Sequence, residues 1–325
     1  MEILITGGAG FIGSHILAQL QGRRDMDVVV FDNLSSGSKE HVPAGMELVE
    51  GDVCDEAAVD ALFADHHFDA VIHLAAQTMV PTSVEQPVLD CQINLEGVLH
   101  VLEACRIHGT GHILFSSSAA VYGDNLHIPL KETERLVPTS PYGITKMTTE
   151  HYLRVYHELY GMDATVFRFA NVYGERQGEK GEGGVVSIFC KLLSQRQGIT
   201  VFGDGNQTRD FVYAGDIAQA IIRALPLKGY HTMNVSTGQE TSINDLIRSF
   251  EKAVGYTVPV QYTAPRTGDI LRSVLSNEAL KRDLGFVPQW IWKKESVGPM
   301  TGTAANGWSK ALFALTGFPK HDTMN

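Results

Sequence analysis

The sequence predicts a doubly wound, parallel α/β sheet (a Rossmann-type fold) joined to a smaller α/β part. A glycine-rich turn at residues 7–13 follows a short apolar segment and precedes one in which apolar residues recur at helical spacing. Apolar segments that read as strands lie at residues 2–5, 28–31, 46–49, 70–74, 112–115 and 164–169, with helix-like segments between them. Six strands alternating with helices are typical of a parallel sheet with right-handed crossovers.

Composition and charge narrow the functional classes. The chain has 325 residues, 44% of them hydrophobic, and a formal net charge of −11, which argues against nucleic acid as the main partner. The cysteines show no metal-type spacing, so we expect reduced thiols and no metal at Cys54, Cys91, Cys105 and Cys190. No apolar run approaches the roughly 20 residues of a membrane span. Because a core strand begins at once, we also expect no signal peptide and a cytoplasmic protein.

The glycine turn has the spacing of a dinucleotide-binding turn. Gly7 allows a tight turn, Gly10 lets the backbone approach a pyrophosphate, and Gly13 lets the helix pack closely on the strand. A purely structural turn would look similar, so the second strand decides between the two. It ends at Asp32, whose carboxylate can accept hydrogen bonds from an adenosine ribose and would repel a 2′-phosphate. The predicted cofactor is therefore NAD rather than NADP.

A second pattern predicts catalysis. Tyr142 and Lys146 lie four residues apart on one predicted helix. A free tyrosine titrates at about pH 10, so a neighbouring ammonium and a nicotinamide charge are needed to favour the phenolate. Ser118, at the end of the fifth strand, can offer a hydroxyl to the same substrate oxygen. The alternative is a helix-surface pair, but the glycine turn and the strand-end serine favour a catalytic set.

The sequence suggests cofactor-binding or structural roles for three further residues. Asp52 contacts the adenine or caps the helix at 56–63. Asn94, in the first turns of a long helix predicted at 91–108, is expected to reach the cofactor. His73 lies inside an apolar strand, and we interpret it as a hydrogen-bonded core residue rather than an acid or base.

Together these motifs resemble those of the extended short-chain dehydrogenases/reductases, and within them the UDP-glucose 4-epimerases. The resemblance covers roughly residues 1–288, and its stretches are 6–15, 32–34, 51–53, 73–76, 116–123, 140–146, 168–174, 203–216 and 266–269. It implies Tyr142 as the base, Lys146 as its partner and Ser118 as the assisting hydroxyl.

The resemblance also implies two sets of ligand contacts. The expected NAD contacts are Gly7, Gly10, Phe11, Ile12, Gly13, Asp32, Asn33, Ser36, Gly37, Asp52, Val53, Leu74, Ala75, Ala76, Gln77, Asn94, Ser116, Tyr142, Lys146 and Phe169. The expected UDP-sugar contacts are Ser118, Tyr142, Asn171, Val185, Val186, Thr200, Phe202, Arg209, Arg266, Asp269 and Ser273. In the second set the two arginines would bind the diphosphate, because planar guanidinium groups suit phosphate.

Missing residues narrow the implied reaction. Dehydratases that resemble this chain carry Asp-Glu after the active-site Ser or Thr, whereas here Ala119 and Ala120 follow Ser118. The glutamate of decarboxylating relatives is missing as well. What remains suits reversible hydride transfer at C4: Tyr142 removes the 4-hydroxyl proton, hydride passes to NAD, the keto sugar turns over, and hydride returns to its opposite face. We therefore expect interconversion of UDP-glucose and UDP-galactose.

The sequence also predicts which sugars the protein accepts and how the chain is organised and assembled. Ser273 stands where some relatives carry a bulky tyrosine, so UDP-GlcNAc and UDP-GalNAc are expected as further substrates. The alternatives are another nucleotide-sugar epimerase, for example on a UDP-uronic acid, and a non-catalytic NAD-sensing regulator. The helices at 91–108 and 142–160 resemble those through which relatives form homodimers. We expect an NAD-binding domain at 1–168, a mainly UDP-sugar-binding domain at 169–289 and an atypical tail at 290–325.

Overall fold

A computed structural model describes residues 1–178, 183–265 and 270–289. Its strands are β1 (Glu2–Thr6), β2 (Asp27–Asp32), β3 (Glu47–Glu50), β4 (Ala70–His73), β5 (His112–Ser118), β6 (Asp163–Phe169), β7 (Asn171–Tyr173), β8 (Ile199–Phe202), β9 (Thr208–Arg209), β10 (Phe211–Tyr213), β11 (Tyr230–Val235), β12 (Thr241–Ser242) and β13 (Val260–Thr263). Its α-helices are α1 (Phe11–Leu20), α2 (Glu56–Asp65), α3 (Val80–Glu85), α4 (Pro87–Cys91), α5 (Gly97–His108), α6 (Pro141–Tyr160), α7 (Val185–Ser194), α8 (Ala214–Ala224), α9 (Ile243–Val254) and α10 (Glu278–Leu284).

The predicted sheet is confirmed and has one strand more than expected. Seven parallel strands follow the order β11-β6-β5-β4-β1-β2-β3. The extra strand, β11, pairs with β6 at the edge of the sheet. Its sequence includes His231, Thr232 and Asn234, so it lacks the apolar run that marks the other strands. The strand also belongs to the region 169–289, which the sequence predicts to form a mainly UDP-sugar-binding domain. The domain boundary near residue 169 stays a prediction.

The predicted helix at 91–108 has a different form. The chain is helical from Pro87 to His108, but residues 92–96 form a π-helical turn between α4 and α5. Such turns insert an extra residue into the helix and are frequent at functional sites. The turn carries Asn94, which is buried.

The sheet is buried on both faces because its strands are nearly continuous apolar runs. On β1, Ile3 and Ile5 face a core that they share with Ile16 of α1 and Ile217 of α8. Leu4 points to the opposite face, into a core formed with helices α2, α5 and α6. A third core lies outside the sheet and joins α7, α9 and β8.

The connection from β1 to α1 depends on two glycines. Gly7 has a φ of +68°, and a Cβ there would lie 2.6 Å from the backbone nitrogen of Ala75, which follows β4. A Cβ at Gly13 would lie 2.5 Å from the backbone of Gly8. The backbones at the carboxyl ends of β1 and β4 therefore approach more closely than any side chain permits. Since β1 lies between β2 and β4, this is also the point where the strand order reverses, and parallel sheets bind ligands in such crevices.

A buried ion pair attaches α6 to the sheet. The Arg168 guanidinium on β6 donates to both carboxylate oxygens of Glu150 on α6, with Nη2 2.6 Å from Oε2 and Nε 3.0 Å from Oε1. Arg168 Nη1 also donates to the Tyr122 hydroxyl at 2.9 Å, and Ser117 donates to Glu150 at 2.5 Å. Both charged side chains are almost fully buried. The charge of each is therefore balanced by the other rather than by water.

We predict that Arg168→Met lowers the free energy of unfolding by about 3–5 kcal/mol, because it leaves the Glu150 carboxylate buried without its partner. The measurement is denaturant unfolding followed by circular dichroism. Arg23→Ala, which removes an exposed pair with Asp25, is the control and should leave the midpoint unchanged. Equal stability of the Arg168 variant and the wild type would contradict the prediction.

Candidate active site

The structure brings Ser118, Tyr142 and Lys146 together at the carboxyl edge of the sheet. Ser118 ends β5, and its hydroxyl lowers the pKa of the Tyr142 phenol, against the effect of burial. The Lys146 ammonium lies one helical turn further along α6 and donates to the Ser116 carbonyl at 2.8 Å. The structure thus places all three residues at this edge, and their role as a catalytic set stays a prediction.

Local sequence explains why the helix starts where it does. Ser140 caps α6 by accepting from the Gly143 backbone nitrogen at 3.2 Å, and Pro141 occupies the first turn. A Cβ at Gly143 would lie 2.6 Å from the carbonyl oxygen of Ala120. The glycine therefore lets the start of α6 lie against the short 3₁₀ turn at 119–122 that follows Ser118.

Burial sets the protonation of the pair in the free protein. It raises the pKa of Tyr142 to about 12, with the Asp90 charge adding to the rise and the Ser118 hydrogen bond opposing it. Burial lowers the pKa of Lys146 to about 8, and the carboxylates of Asp90 and Glu150 oppose that fall. Without ligands, then, the phenol is protonated, and the ammonium loses its proton not far above neutral pH.

His73 is a core residue, as expected. Its side chain is fully buried, its Nδ1 lies 3.0 Å from the Thr6 hydroxyl, and its ring stacks on Phe115. Burial lowers its pKa to about 3, with a smaller contribution from the Lys146 charge. It stays neutral at physiological pH and is too deep to exchange protons with a substrate.

The predicted adenosine side is ordered by backbone contacts to Asp32. Its Oδ2 accepts from the Ala9 nitrogen at 2.9 Å and its Oδ1 accepts from the Leu34 nitrogen at 2.8 Å. A carboxylate has further lone pairs, so ribose hydroxyls can still bind to it. The 33–38 loop lies against the glycine turn, since a Cβ at Gly37 would be 2.8 Å from the backbone of Ala9.

The alternative of Asp52 as a helix cap is wrong. The α2 helix is capped by Asp55, whose side chain accepts from the Ala58 nitrogen at 3.1 Å. Asp52 instead accepts from the Asn33 side chain and from the Cys54 nitrogen, each at 2.9 Å. These contacts hold it next to Asp32, where its expected adenine contact stays a prediction.

The Asn94 side chain is hydrogen-bonded to the backbone of the segment that follows β4. Its Oδ1 accepts from the Gln77 backbone nitrogen at 2.9 Å and its Nδ2 donates to the Gln77 carbonyl at 2.8 Å. With 1% exposure, it lies behind residues 74–77 and fixes their backbone. The amide is thus occupied by the protein, and direct contact with the cofactor stays a prediction.

The residues present fit a dinucleotide. Within 4 Å, a Cβ at Gly10 would meet only the Gly7 carbonyl oxygen, at 3.2 Å. The space in front of Gly10 is thus open to a ligand, in contrast to the crowded Gly7 and Gly13. The other expected contacts lie on elements that meet at this edge of the sheet: Phe11 and Ile12 start α1, Val53 follows β3, Leu74, Ala75 and Ala76 follow β4, Ser36 lies in the 33–38 loop, Ser116 lies near the end of β5, and Phe169 ends β6.

The expected substrate contacts are only partly assembled. Arg209 is half-buried on β9, and Ser273 lies beside it because its backbone nitrogen donates to the Thr208 carbonyl at 3.2 Å. Asn171 is exposed at the start of β7. Val185, Thr200 and Phe202 are at least partly exposed, on α7 and β8, whereas Val186 packs into the third core at 3% exposure. Arg266 and Asp269, like the tail at 290–325, lie outside the described residues.

Sequence reasoning missed a polar cluster that joins α1 to the loop after β7 and to β10. Tyr213 donates to the Glu175 carboxylate at 2.8 Å, and His15 lies 3.1 Å from the Glu175 carbonyl oxygen. Arg176, with a φ of +68°, donates to the Ser14 hydroxyl at 2.6 Å. The cluster attaches the loop after β7 to the second turn of α1. Its members are too distant in sequence for spacing to reveal them.

The described part of the chain contains neither a membrane span nor a metal cluster. None of its helices is long and apolar enough to cross a membrane. It also holds no group of three or more histidine, cysteine or acidic side chains arranged to bind a metal ion.

Comparison with known proteins agrees with this geometry. Residues 3–236 match the model of the NAD dependent epimerase/dehydratase family. A putative UDP-glucose 4-epimerase of Methanocaldococcus jannaschii is 42% identical over 289 residues, which are 88% of this chain and 93% of the relative. The UDP-glucose 4-epimerase of Thermotoga maritima, solved with UDP-glucose, superposes with a TM-score of 0.89 at 37% identity and covers 97% of this chain and 98% of its own. The Thermus thermophilus enzyme, solved with NAD, gives a TM-score of 0.87 at 38% identity and covers 98% and 99%.

The family match extends from β1 through β11 and so includes the glycine turn, Asp32 and the Ser118–Tyr142–Lys146 set. The chain therefore belongs to the NAD-dependent epimerase/dehydratase family.

Proposed function

We propose that the protein is an NAD-dependent epimerase that interconverts UDP-glucose and UDP-galactose at C4. The observation that carries the proposal is the Lys146 ammonium 5.8 Å from the centre of the Tyr142 ring, at the carboxyl edge of the sheet where Ser118 ends β5. The names of the similar proteins point to the same reaction. The methyl groups of Ala119 and Ala120 beside Ser118 offer no second acid or base for an elimination.

The side chains divide the work of proton transfer. Tyr142 takes the proton of the sugar 4-hydroxyl and later returns it, while Ser118 holds the same oxygen by a second hydrogen bond. Bound NAD supplies the acceptor and donor of the C4 hydride. A phenolate is costly in a buried site, and the Lys146 ammonium reduces that cost because opposite charges stabilise each other strongly away from water.

The nucleotide is bound apart from the reacting sugar. We place the diphosphate against Arg209, with Arg266 as a second guanidinium and Asp269 on the ribose. Arg209 is supported by its neighbour Asp210, which accepts from the Thr237 nitrogen at 2.9 Å and the Gly238 nitrogen at 2.9 Å. These bonds hold the loop after β11 beside β9. A fixed nucleotide and a loosely held sugar allow the keto intermediate to turn over.

We further propose that the chain is a cytoplasmic homodimer. Apolar side chains are exposed at helical spacing on α3 and α4 and on α6, which pack together: Val80, Val84, Val88, Ile144, Tyr152, Val155 and Leu159. Contiguous exposed apolar surface of this kind is typical of an interface. The cysteines are free thiols, which suits a reducing compartment.

The central test is turnover of UDP-galactose by the purified protein without added reductant, followed by NMR. We expect UDP-glucose to appear until equilibrium is reached. Tyr142→Phe should lower kcat by about 10²- to 10⁴-fold, the usual contribution of a positioned acid–base group, while bound NAD is retained. Tyr160→Phe, on an exposed tyrosine of the same helix, should leave kcat unchanged.

Two other outcomes would replace the proposal. Turnover of a UDP-uronic acid but not of UDP-galactose would assign a different sugar. If the protein binds NAD and nucleotide sugars but converts neither UDP-galactose nor a UDP-uronic acid, the result would favour a non-catalytic regulator.

Sugar choice is tested at Ser273. We expect the wild type to convert UDP-GalNAc as well as UDP-galactose, and Ser273→Tyr to lose the acetylated substrate because the ring fills the space beside C2. Ser273→Ala is the size-matched control and should retain both reactions. If the tyrosine variant still converts UDP-GalNAc, Ser273 does not set the size of the sugar pocket.

The dimer is tested at Leu159. Leu159 is the most exposed apolar residue of the stripe on α6, so the charge of Leu159→Glu should halve the mass measured by light scattering after size exclusion. Ile188→Glu makes the same change at an exposed apolar residue on α7 and should remain dimeric. A monomeric wild type, or a dimeric Leu159 variant, would rule out this interface.

A further inference from the structure

A buried carboxylate outside the catalytic set lies beneath it. Asp90, at the end of α4, has no exposed surface. Its Oδ2 accepts from the Thr145 hydroxyl at 2.9 Å, and its Oδ1 accepts from the side-chain nitrogens of Gln77 at 2.7 Å and Asn94 at 3.0 Å. All three neighbours are donors, which is the arrangement that an ionised carboxylate requires. Thr145 immediately precedes Lys146 on α6.

Asp90 differs from the other buried acid near the site. Glu150 is neutralised by the bidentate guanidinium of Arg168. Among the described residues, no lysine, arginine or histidine forms an ion pair with Asp90. Burying an ionised carboxylate with only neutral donors is costly, and its charge acts strongly on other charges through the low-dielectric interior.

The Asp90 charge acts on Lys146, which directly follows the Thr145 that is hydrogen-bonded to Asp90. Four titratable groups face the site from the elements that surround it: Asp90 from α4, Tyr142 and Glu150 from α6, and His73 from β4. His73 is neutral and Glu150 is compensated. Asp90 is therefore the carboxylate without a paired cation of its own that acts on the buried ammonium, and its effect on Lys146 is larger than that of Glu150.

We propose that Asp90 is a positioning residue whose fixed charge keeps Lys146 protonated, and so preserves the cation that Tyr142 needs when it takes the substrate proton. The proposal rests on the proposed function for the roles of Tyr142 and Lys146. The Asp90 carboxylate also has a structural role. It accepts from Gln77 and Asn94 and from Thr145 of α6, and so holds the 74–77 segment against that helix.

Asp90→Asn separates charge from structure. The amide oxygen can keep the bonds from Gln77 and Asn94, and the amide nitrogen can donate to Thr145. The Thr145 hydroxyl already has a second acceptor, the Tyr142 carbonyl oxygen at 3.0 Å, so its hydrogen need not be lost. The variant should fold with a Tm close to that of the wild type, while the site loses one negative charge.

The test is a pH titration of Lys146 itself. NMR of protein labelled with ε-¹³C lysine, assigned with Lys146→Met, measures the pKa of this side chain without reference to activity. In Asp90→Asn we expect that pKa to fall by about one unit or more, the usual effect of losing a close opposite charge. The alkaline limb of the kcat profile for UDP-galactose should move to lower pH by the same amount.

The matched control removes an uncharged bond from the same helix contact. Thr149 donates to the Asn94 carbonyl at 3.2 Å and to the Thr145 carbonyl at 3.0 Å. Thr149→Val should lower kcat equally at all pH values and leave the Lys146 titration in place. An unshifted Lys146 titration in Asp90→Asn would overturn the proposal. A shifted titration in a protein that converts no UDP-sugar would support the electrostatic role of Asp90 and reject the proposed function instead.

Discussion

The structure depends on one close approach of backbone to backbone. At the end of β1, Gly7 leaves no room for a Cβ against the segment that follows β4. The strand order reverses at this point. Because the contact leaves no room for side chains, the crevice formed there is lined by peptide groups. The residues expected to contact a dinucleotide lie around that crevice, and the acid–base groups lie at the end of β5 and the start of α6, on the same edge of the sheet.

The catalytic helix is held in place by polar contacts on two sides. On the sheet side, Arg168 and Glu150 join β6 to α6. On the other side, Asp90 and Asn94 join it to the π-helical turn and to Gln77. These networks are buried and largely satisfied, which specifies a single position for the helix. The position of Tyr142 relative to the crevice is thus determined by residues outside the Ser118–Tyr142–Lys146 set.

Periodicity was sufficient to predict the elements with strong patterns, since six apolar runs gave six strands of the sheet. It failed at β11, whose polar residues at a sheet edge conceal the strand, and at the π-helical turn, which changes hydrogen bonding without changing composition. The Ser118–Tyr142–Lys146 set could be found because strand ends and helix spacing are local patterns. Asp90, Glu175 and Arg168 could not, because their partners are brought to them only by the folded chain. Asp52 was misassigned as a possible cap because Asp55, three residues later, offers the same chemistry.

The origin of β11 has a consequence for how the protein can be divided. The chain leaves the sheet after β6, builds the strands β7 to β10 and the helices α7 and α8, and then returns to add the edge strand. On its way it also places α8 over α1, with Ile217 in the same core as Ile16. A fragment ending at residue 168 would expose the apolar edge of β6 and uncover the helix that follows the glycine turn, and unpaired edges of this kind promote aggregation. The parts of the chain before and after residue 168 therefore share one sheet and one core, and they are not independent folding units.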